Sequence, residues 1–201
     1  MYEPQLANPG ANPEMQLLPT EDINVINSQA VSEDYTSNYT RGHLTPTMHQ
    51  RTLEDREATF TLTNIVPQRE GSNSGPWGEL EKKVLNRKTF CQGDMYVITG
   101  VMPGNRQMNE KVSVPDYLWS AYCCTKYKTK IQKLRPKFPT YAAVGSNIEE
   151  RPEHDPVEVK TQDFAVTQMS LADLERNLKA KLRLRTPVSL FAGGCTVTKG
   201  D

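Results

Sequence analysis

The chain carries no net charge, its 24 Lys and Arg being matched by 24 Asp and Glu over 201 residues. Without a global field there is no long-range pull on a polyanion, so any nucleic-acid affinity has to come from a local patch. Histidine is scarce, with three residues in all, which confines imidazole chemistry to very few positions. No apolar run approaches the roughly 18 residues of a membrane span, and the opening Met1-Tyr2-Glu3-Pro4 lacks the basic and apolar regions of a secretion signal. The four cysteines, Cys91, Cys123, Cys124 and Cys195, have none of the C-x-x-C spacing that zinc ribbons and redox motifs require. Cys123 and Cys124 are neighbours in an apolar strand-like run and so face opposite sides, each able to reach a different distant partner. Three disulfide pairings are open, beside the reading of four reduced, buried thiols.

Length and composition suit one domain with a proper core. A mean hydropathy of -0.64 and 14 prolines imply long loops. Residues 1–38, rich in Asn, Pro, Ser, Gln and acids, read as an extended arm, and residues 39–201 as the domain. Within it, residues 58–66 alternate with period two, predicting a strand with Phe60, Leu62 and Asn64 on one face. After a loop, Gly75-Pro76-Trp77 opens a helix whose Trp77, Leu80 and Val84 recur at helical spacing. Strands are predicted at 94–101, 112–114 and 117–124. A helix starts at Ser170, with a capping box and a core face of Leu171, Leu174, Leu178 and Leu182, and then comes a closing strand at 188–191. The acidic, proline-rich stretch 147–158 reads as an exposed loop. Strands and helices mixed without regular alternation point to α+β.

Two basic runs stand out. Lys126, Lys128, Lys130, Lys133, Arg135 and Lys137 form one, and Lys179 to Arg185 the other. Either is a patch for a polyanion or simply a solvated face.

Chemistry concentrates in Thr40-Arg41-Gly42-His43-Leu44 and three segments C-terminal to it. Asn64-Ile65-Val66-Pro67-Gln68 ends a predicted strand, Asn73 comes nine residues after Asn64, and Trp77-Gly78-Glu79-Leu80-Glu81 opens the helix. A polar amide at the end of an apolar face needs partners, and a carboxylate beside an apolar helical stripe needs a counter-charge or water around a metal. An imidazole titrating near neutrality is suited to taking a proton from water.

This set resembles the DNA/RNA non-specific endonucleases of the ββα-metal superfamily, whose signature reads Asp-Arg-Gly-His, then a strand ending Thr-Asn-x-x-Pro-Gln, then Asn and Trp-x-x-Leu-Glu. The segments Tyr96-Val97-Ile98-Thr99-Gly100, residues 114–124 and Leu190-Phe191-Ala192-Gly193-Gly194-Cys195 resemble a narrower branch, the vertebrate endonuclease domain-containing 1 proteins. The resemblance covers about residues 3–195 and implies a central, mostly antiparallel sheet flanked by helices, without the usual start of the domain. It implies His43 as general base, Asn73 as the one direct protein ligand of Mg²⁺ or another divalent cation, and Glu81 as the group orienting the cation's waters. Arg41 would contact phosphate and Asn64 would hold the site's hydrogen-bond geometry at the substrate. Such a site reads the backbone of DNA or RNA rather than base edges. By the same resemblance the protein is extracellular. Thr40 departs from the signature's aspartate, and Leu85 stands where some bacterial members have arginine. Both favour the alternative of a nuclease-fold protein with weak or no activity, serving as a nucleic-acid-binding or interaction module. Thr40 also completes a glycosylation sequon with Asn38.

Overall fold

The computed structural model describes residues 23–35, 39–148, 154, 156–157 and 164–195. Its centre is a four-stranded antiparallel sheet in the order β3 (Met95–Met108), β4 (Val112–Cys124), β5 (Thr140–Ser146) and β6 (Val166–Met169). A separate antiparallel pair joins β1 (Tyr39–His43) to β2 (Ile65–Arg69). The expected α+β class, with an antiparallel sheet flanked by helices, is what the chain forms.

Side chains on β4 alternate between two buried layers, which makes it the hub of the core. Tyr117, Trp119, Ala121 and Cys123 pack with Leu174 and Leu178 of α4 (Leu171–Lys181). Leu118, Tyr122 and Cys124 pack on the other side with Trp77, and with Leu80 and Val84 of α3 (Gly78–Lys88). Burying Trp77, Leu80 and Val84 contributes about 1.5–3 kcal/mol each and fixes α3 against the sheet. The disulfides result from this alternation: Cys124 reaches Cys91 and Cys123 reaches Cys195, each pair with Cα atoms 5.8 Å apart. The four thiols are thus oxidised rather than reduced.

Several sequence expectations give way to tertiary structure. The strand expected over 58–66 is replaced by a 3₁₀ turn at Leu62–Asn64, with β2 beginning only at Ile65. Threonine hydroxyls divert the backbone there, just after a short helix, α2 (Leu53–Ala58): Thr59 Oγ1 donates to the Arg56 carbonyl and Thr61 Oγ1 to that of Ala58. Phe60, Leu62 and Asn64 therefore share no strand face. Residues 112–124 form one strand, and β3 continues to Met108 through register shifts at Pro103, which has no N–H for the ladder. The closing strand at 188–191 is irregular chain, and Leu182 lies exposed just past the end of α4. Ser170 caps α4, its Oγ accepting from the Asp173 N–H at 3.1 Å, but in place of the reciprocal bond of a capping box the same hydroxyl donates to Asp173 Oδ2 at 2.7 Å.

The stretch 147–158 lies partly outside the described residues, but Asn147 is fully buried rather than exposed. Its amide donates to the Pro67 and Pro115 carbonyls and accepts from the Arg69 N–H, riveting β2 to β4. Within the arm, residues 1–22 and 36–38 are outside the described residues, Asn38 among them. Its described part carries a short helix, α1 (Ile23–Ser28), and a turn anchored by an Asp34–Lys111 ion pair at 2.9 Å.

Candidate active site

The site begins on β1, where Tyr39, Arg41 and His43 share one face and Thr40 and Gly42 the other. Gln68 of β2, paired with Thr40, covers that second face so closely that a β-carbon on Gly42 would overlap its side chain. Glycine is what lets the two strands close. Gln68 is fully buried and its Nε2 donates to Ser72 Oγ at 2.9 Å, linking the histidine strand to the residue before Asn73. Thr40, where the family signature has aspartate, donates its hydroxyl to the Gln68 carbonyl at 3.0 Å.

His43 ends the strand with its ring edge-on to Phe60, centroids 5.1 Å apart. Its Nε2 is buried and has no hydrogen-bond partner among the described residues. Burial pushes the imidazole's pKa down, so the ring is neutral at neutral pH. Immediately beyond, Asn64 clamps the chain. Its Oδ1 accepts from the Thr45 N–H and its Nδ2 donates to the Thr45 and Thr59 carbonyls, all at 3.0 Å. With one acceptor and both donors engaged, its amide is committed to backbone.

Asn73 starts a π-type turn, Asn73–Trp77, that breaks helical geometry at Gly75 before entering α3. Gly78 permits this path, because a β-carbon there would stand 2.8 Å from the Asn73 carbonyl. The Asn73 side chain is half-buried and makes no hydrogen bond among the described residues. Glu79 and Glu81 lie in the first turn of α3 and Arg87 and Lys88 in the last, each sign matching the helix dipole.

Glu81 is half-buried and has no ion-pair partner among the described residues. Burial pushes its carboxyl up to about 7, with Trp77 pulling weakly the other way. His49, in the segment after β1, donates from Nε2 to the Glu81 carbonyl at 3.0 Å, tying that segment to α3. No side-chain hydrogen bond joins His43, Asn73 and Glu81 to one another among the described residues. They occupy the end of β1, the turn after β2 and the first turn of α3. Arg41 is turned toward the arm, donating to the Ser32 carbonyl at 3.3 Å with its guanidinium 5.5 Å from the centre of the Tyr35 ring.

Among the described residues, no three of His, Cys, Asp and Glu gather as a metal-binding cluster. The Asn73 amide oxygen and the Glu81 carboxylate, which has no ion-pair partner among the described residues, are hard oxygens of the kind suited to Mg²⁺, which keeps several of its own waters. A half-buried carboxylate lacking a counter-charge is also the group that a cation would relieve.

Lys126, Lys128, Lys130, Lys133 and Arg135 are exposed on the β4–β5 connection. Burial, then the charges of Arg87 and Lys83, lowers the pKa of Lys137 beside them. Lys137 thus lies within the field of Arg87 and Lys83 of α3. In the second run, Lys181 is held by Asp116 at 2.9 Å. Sequence reasoning missed His49, Gln50 and Asn147, lone polar residues with no periodic neighbour to mark them, and it quoted Gln68 in the motif without giving it a role; the packing around each is what reveals it.

A sequence model of the DNA/RNA non-specific endonuclease family matches residues 14–184. Human endonuclease domain-containing 1 protein (Homo sapiens) is 33% identical over 132 residues, covering 62% of this chain and 26% of that protein. A nuclease of Nostoc sp. is 36% identical over 86 residues, covering 41% of this chain and 31% of that protein. The mitochondrial nuclease EXOG of Mus musculus is 28% identical over 134 residues, covering 59% and 34%. The chain thus spans about a quarter to a third of the length of these relatives.

Proposed function

The chain belongs to the DNA/RNA non-specific endonuclease family, and from that premise we propose that it hydrolyses phosphodiester bonds of DNA and RNA with little sequence specificity, using a divalent cation such as Mg²⁺. The observation that carries this reading is the buried, unpartnered Nε2 of a neutral His43 at the end of β1. An acceptor nitrogen kept from protein donors is free to take the proton of an attacking water, and burial keeps it unprotonated at neutral pH. Phe60 fixes the ring, and the Asn64 clamp on Thr45 fixes the chain just beyond it. Asn64 is a positioning residue in this scheme, since its amide is fully engaged with backbone.

A divalent cation held by Asn73, when bound, would stabilise the charge that develops on the phosphate oxygens. Glu81, in the first turn of α3, would accept hydrogen bonds from the cation's waters and so orient them, the more strongly when ionised. Arg41, on the same face of β1 as His43, would have to leave the Ser32 carbonyl to offer a phosphate its guanidinium. The basic β4–β5 connection supplies local polyanion attraction that the neutral chain as a whole lacks. Two disulfides suit an oxidising compartment, and we take the protein to act outside the cell. Among the described residues, no helix is long and apolar enough to cross a membrane.

Thr40 favours a second reading, in which the fold binds nucleic acid and cleaves it weakly or not at all. The hydroxyl preserves a link to β2 but brings no carboxylate to the motif. Cleavage of supercoiled plasmid and of RNA decides between the two. The nuclease reading expects Mg²⁺-dependent cutting that EDTA abolishes and His43→Ala lowers by at least about 100-fold. Equal background in every lane, with DNA still retained in a gel-shift assay, supports the binding module instead.

A further inference from the structure

The connection between β4 and β5 carries cations with no acid among them. Lys126, Lys128 and Lys130 are exposed while Thr125, Tyr127 and Thr129 between them are half-buried, so the lysines stand on the outer side of the chain. Tyr127 turns inward and stacks on Phe138, with centroids 5.0 Å apart and planes 14° from parallel. A 3₁₀ turn, Gln132–Lys137, then adds exposed Lys133 and Arg135. None of these exposed cations has a carboxylate in ion-pair range among the described residues. Asp94, whose carbonyl accepts from the Thr125 N–H, has its carboxylate on the Tyr96 hydroxyl at 3.5 Å.

Positive charge continues beneath this surface. The Lys137 ammonium lies 5.6 Å from the centre of the Tyr141 ring, and the Arg87 guanidinium lies 5.2 Å from the same ring. Arg87 is only 5% exposed, yet its hydrogen-bond partners are neutral: Gln168 Oε1 at 2.6 Å and the Tyr122 hydroxyl at 3.5 Å. A buried charge without a counter-ion is costly, and an anion beside Lys137 offsets part of that cost. Lys83 adds to the same field, while Glu79, one turn before it, is already paired with Lys82 at 2.8 Å.

Helical geometry separates this surface from the cleavage site. At about 100° per residue, Lys83 and Arg87 lie about 200° and 240° round α3 from Glu81, on the far side of the helix. A helix with its side chains is about 10–12 Å across, the rise of roughly three base steps of a duplex. One duplex can therefore touch both sides. With Tyr127 stacked inward, the outer row offers charge and no ring to a base, so it engages phosphates without reading sequence.

We propose that the β4–β5 connection is a nucleic-acid exosite that grips the phosphate backbone of a duplex across α3 from the cleavage site, so that long substrates are held at two points. The proposal rests on the nuclease reading for the second point alone; the grip on the backbone belongs to this surface by itself.

Fluorescence anisotropy of a labelled duplex of about 24 base pairs, titrated in EDTA between about 50 and 200 mM NaCl, measures the grip without cleavage. Two charge-matched variants of the full chain are compared, each verified as folded by circular dichroism. One is Lys128→Gln/Lys130→Gln/Lys133→Gln in the exosite; the other is Lys179→Gln/Arg183→Gln/Arg185→Gln on the second basic run. The first should weaken binding by at least about 10-fold and flatten the log–log salt dependence by roughly 2–3, at about 0.9 per phosphate contact. The second should bind like wild type. Equal losses in both variants, or no loss in the first, would overturn the proposal and leave the lysines as a solvated face. A heparin oligosaccharide that loses affinity in the first variant while the duplex does not would overturn it in favour of a sulfated polysaccharide. A chain that grips the duplex through these lysines but cuts no plasmid would sink the nuclease reading and keep the exosite. Plasmid cutting with duplex binding indifferent to the three lysines would do the reverse.

Discussion

Asn64 offers the sharpest separation of a positioning role from a substrate contact. Replacement by alanine removes the bond from the Thr45 N–H and those to the Thr45 and Thr59 carbonyls. At about 1 kcal/mol net each, the loss is about 3 kcal/mol. A chain of this length loses about 2–4 °C per kcal/mol, so Tm should fall by about 6–12 °C.

Asn64→Asp is isosteric and more telling. It keeps the acceptor but turns a carboxylate oxygen toward two carbonyls, which favours the protonated acid in the folded state. A folded-state pKa raised above the ordinary value of about 3.9 means that the folded form binds the proton more tightly than the unfolded form. The variant's deficit against wild type is therefore largest at neutral pH and shrinks as pH falls toward 4. Thermal melts monitored by circular dichroism at pH 7.5 and 4.5 measure this, and the same variants should lose kcat while KM for plasmid changes little. An Asn64→Ala variant within about 0.5 kcal/mol of wild type, or an Asn64→Asp deficit that ignores pH, would refute the reasoning.

The same geometry sets three further outcomes. Gly42→Ala forces a β-carbon into the fully buried Gln68 side chain and should cost about 1–3 kcal/mol, with activity falling more steeply because His43 is displaced; a melt indistinguishable from wild type counts against this packing. Burial raises Glu81 to about 7, so the folded state holds that proton more tightly than the unfolded one and the protein loses stability as pH rises from about 4.5 to 7. In EDTA, Glu81→Gln should then be more stable than wild type at pH 8 and similar at pH 5; equal stability at both would place the carboxylate in water. The disulfides close loops of 33 and 72 residues, which chain entropy values at about 4 kcal/mol each, so urea unfolding of the Cys91→Ser/Cys124→Ser variant should register a loss of that size.

The features legible in the sequence are those with a local physical signature. A continuous apolar run marked the 117–124 part of β4, which is buried on both faces, and Trp77, Leu80 and Val84 marked the buried face of α3. The adjacency of Cys123 and Cys124 put the two sulfurs on opposite sides of the sheet, but that both are oxidised, and which partner lies on which side, depended on where α3 and α4 pack. The turn at Leu62–Asn64 was hidden because Phe60 and Leu62 fit a strand pattern as well as a turn, and threonine hydroxyls together with the Asn64 amide decide between them. β5 and β6 escaped notice because small residues such as Ala142 and Ala143 are buried through contact with β4 rather than through any alternation of their own. His43, Asn64, Asn73 and Glu81 stood out by spacing alone. Their surroundings did not: the buried Gln68 behind Gly42 and the His49 link to α3 exist only once the chain is folded.

The central claim is that His43, Asn73 and Glu81 serve one cation-dependent site. Titrating isotope-labelled protein with Mn²⁺, a paramagnetic substitute for Mg²⁺, addresses it without relying on turnover. The account predicts that the Asn73 side-chain amide, the His43 ring and the Glu81 side chain broaden together at substoichiometric Mn²⁺, and that Asn73→Ala abolishes the effect at the other two. Broadening confined to other acidic residues, or broadening at His43 and Glu81 that survives Asn73→Ala, would contradict it.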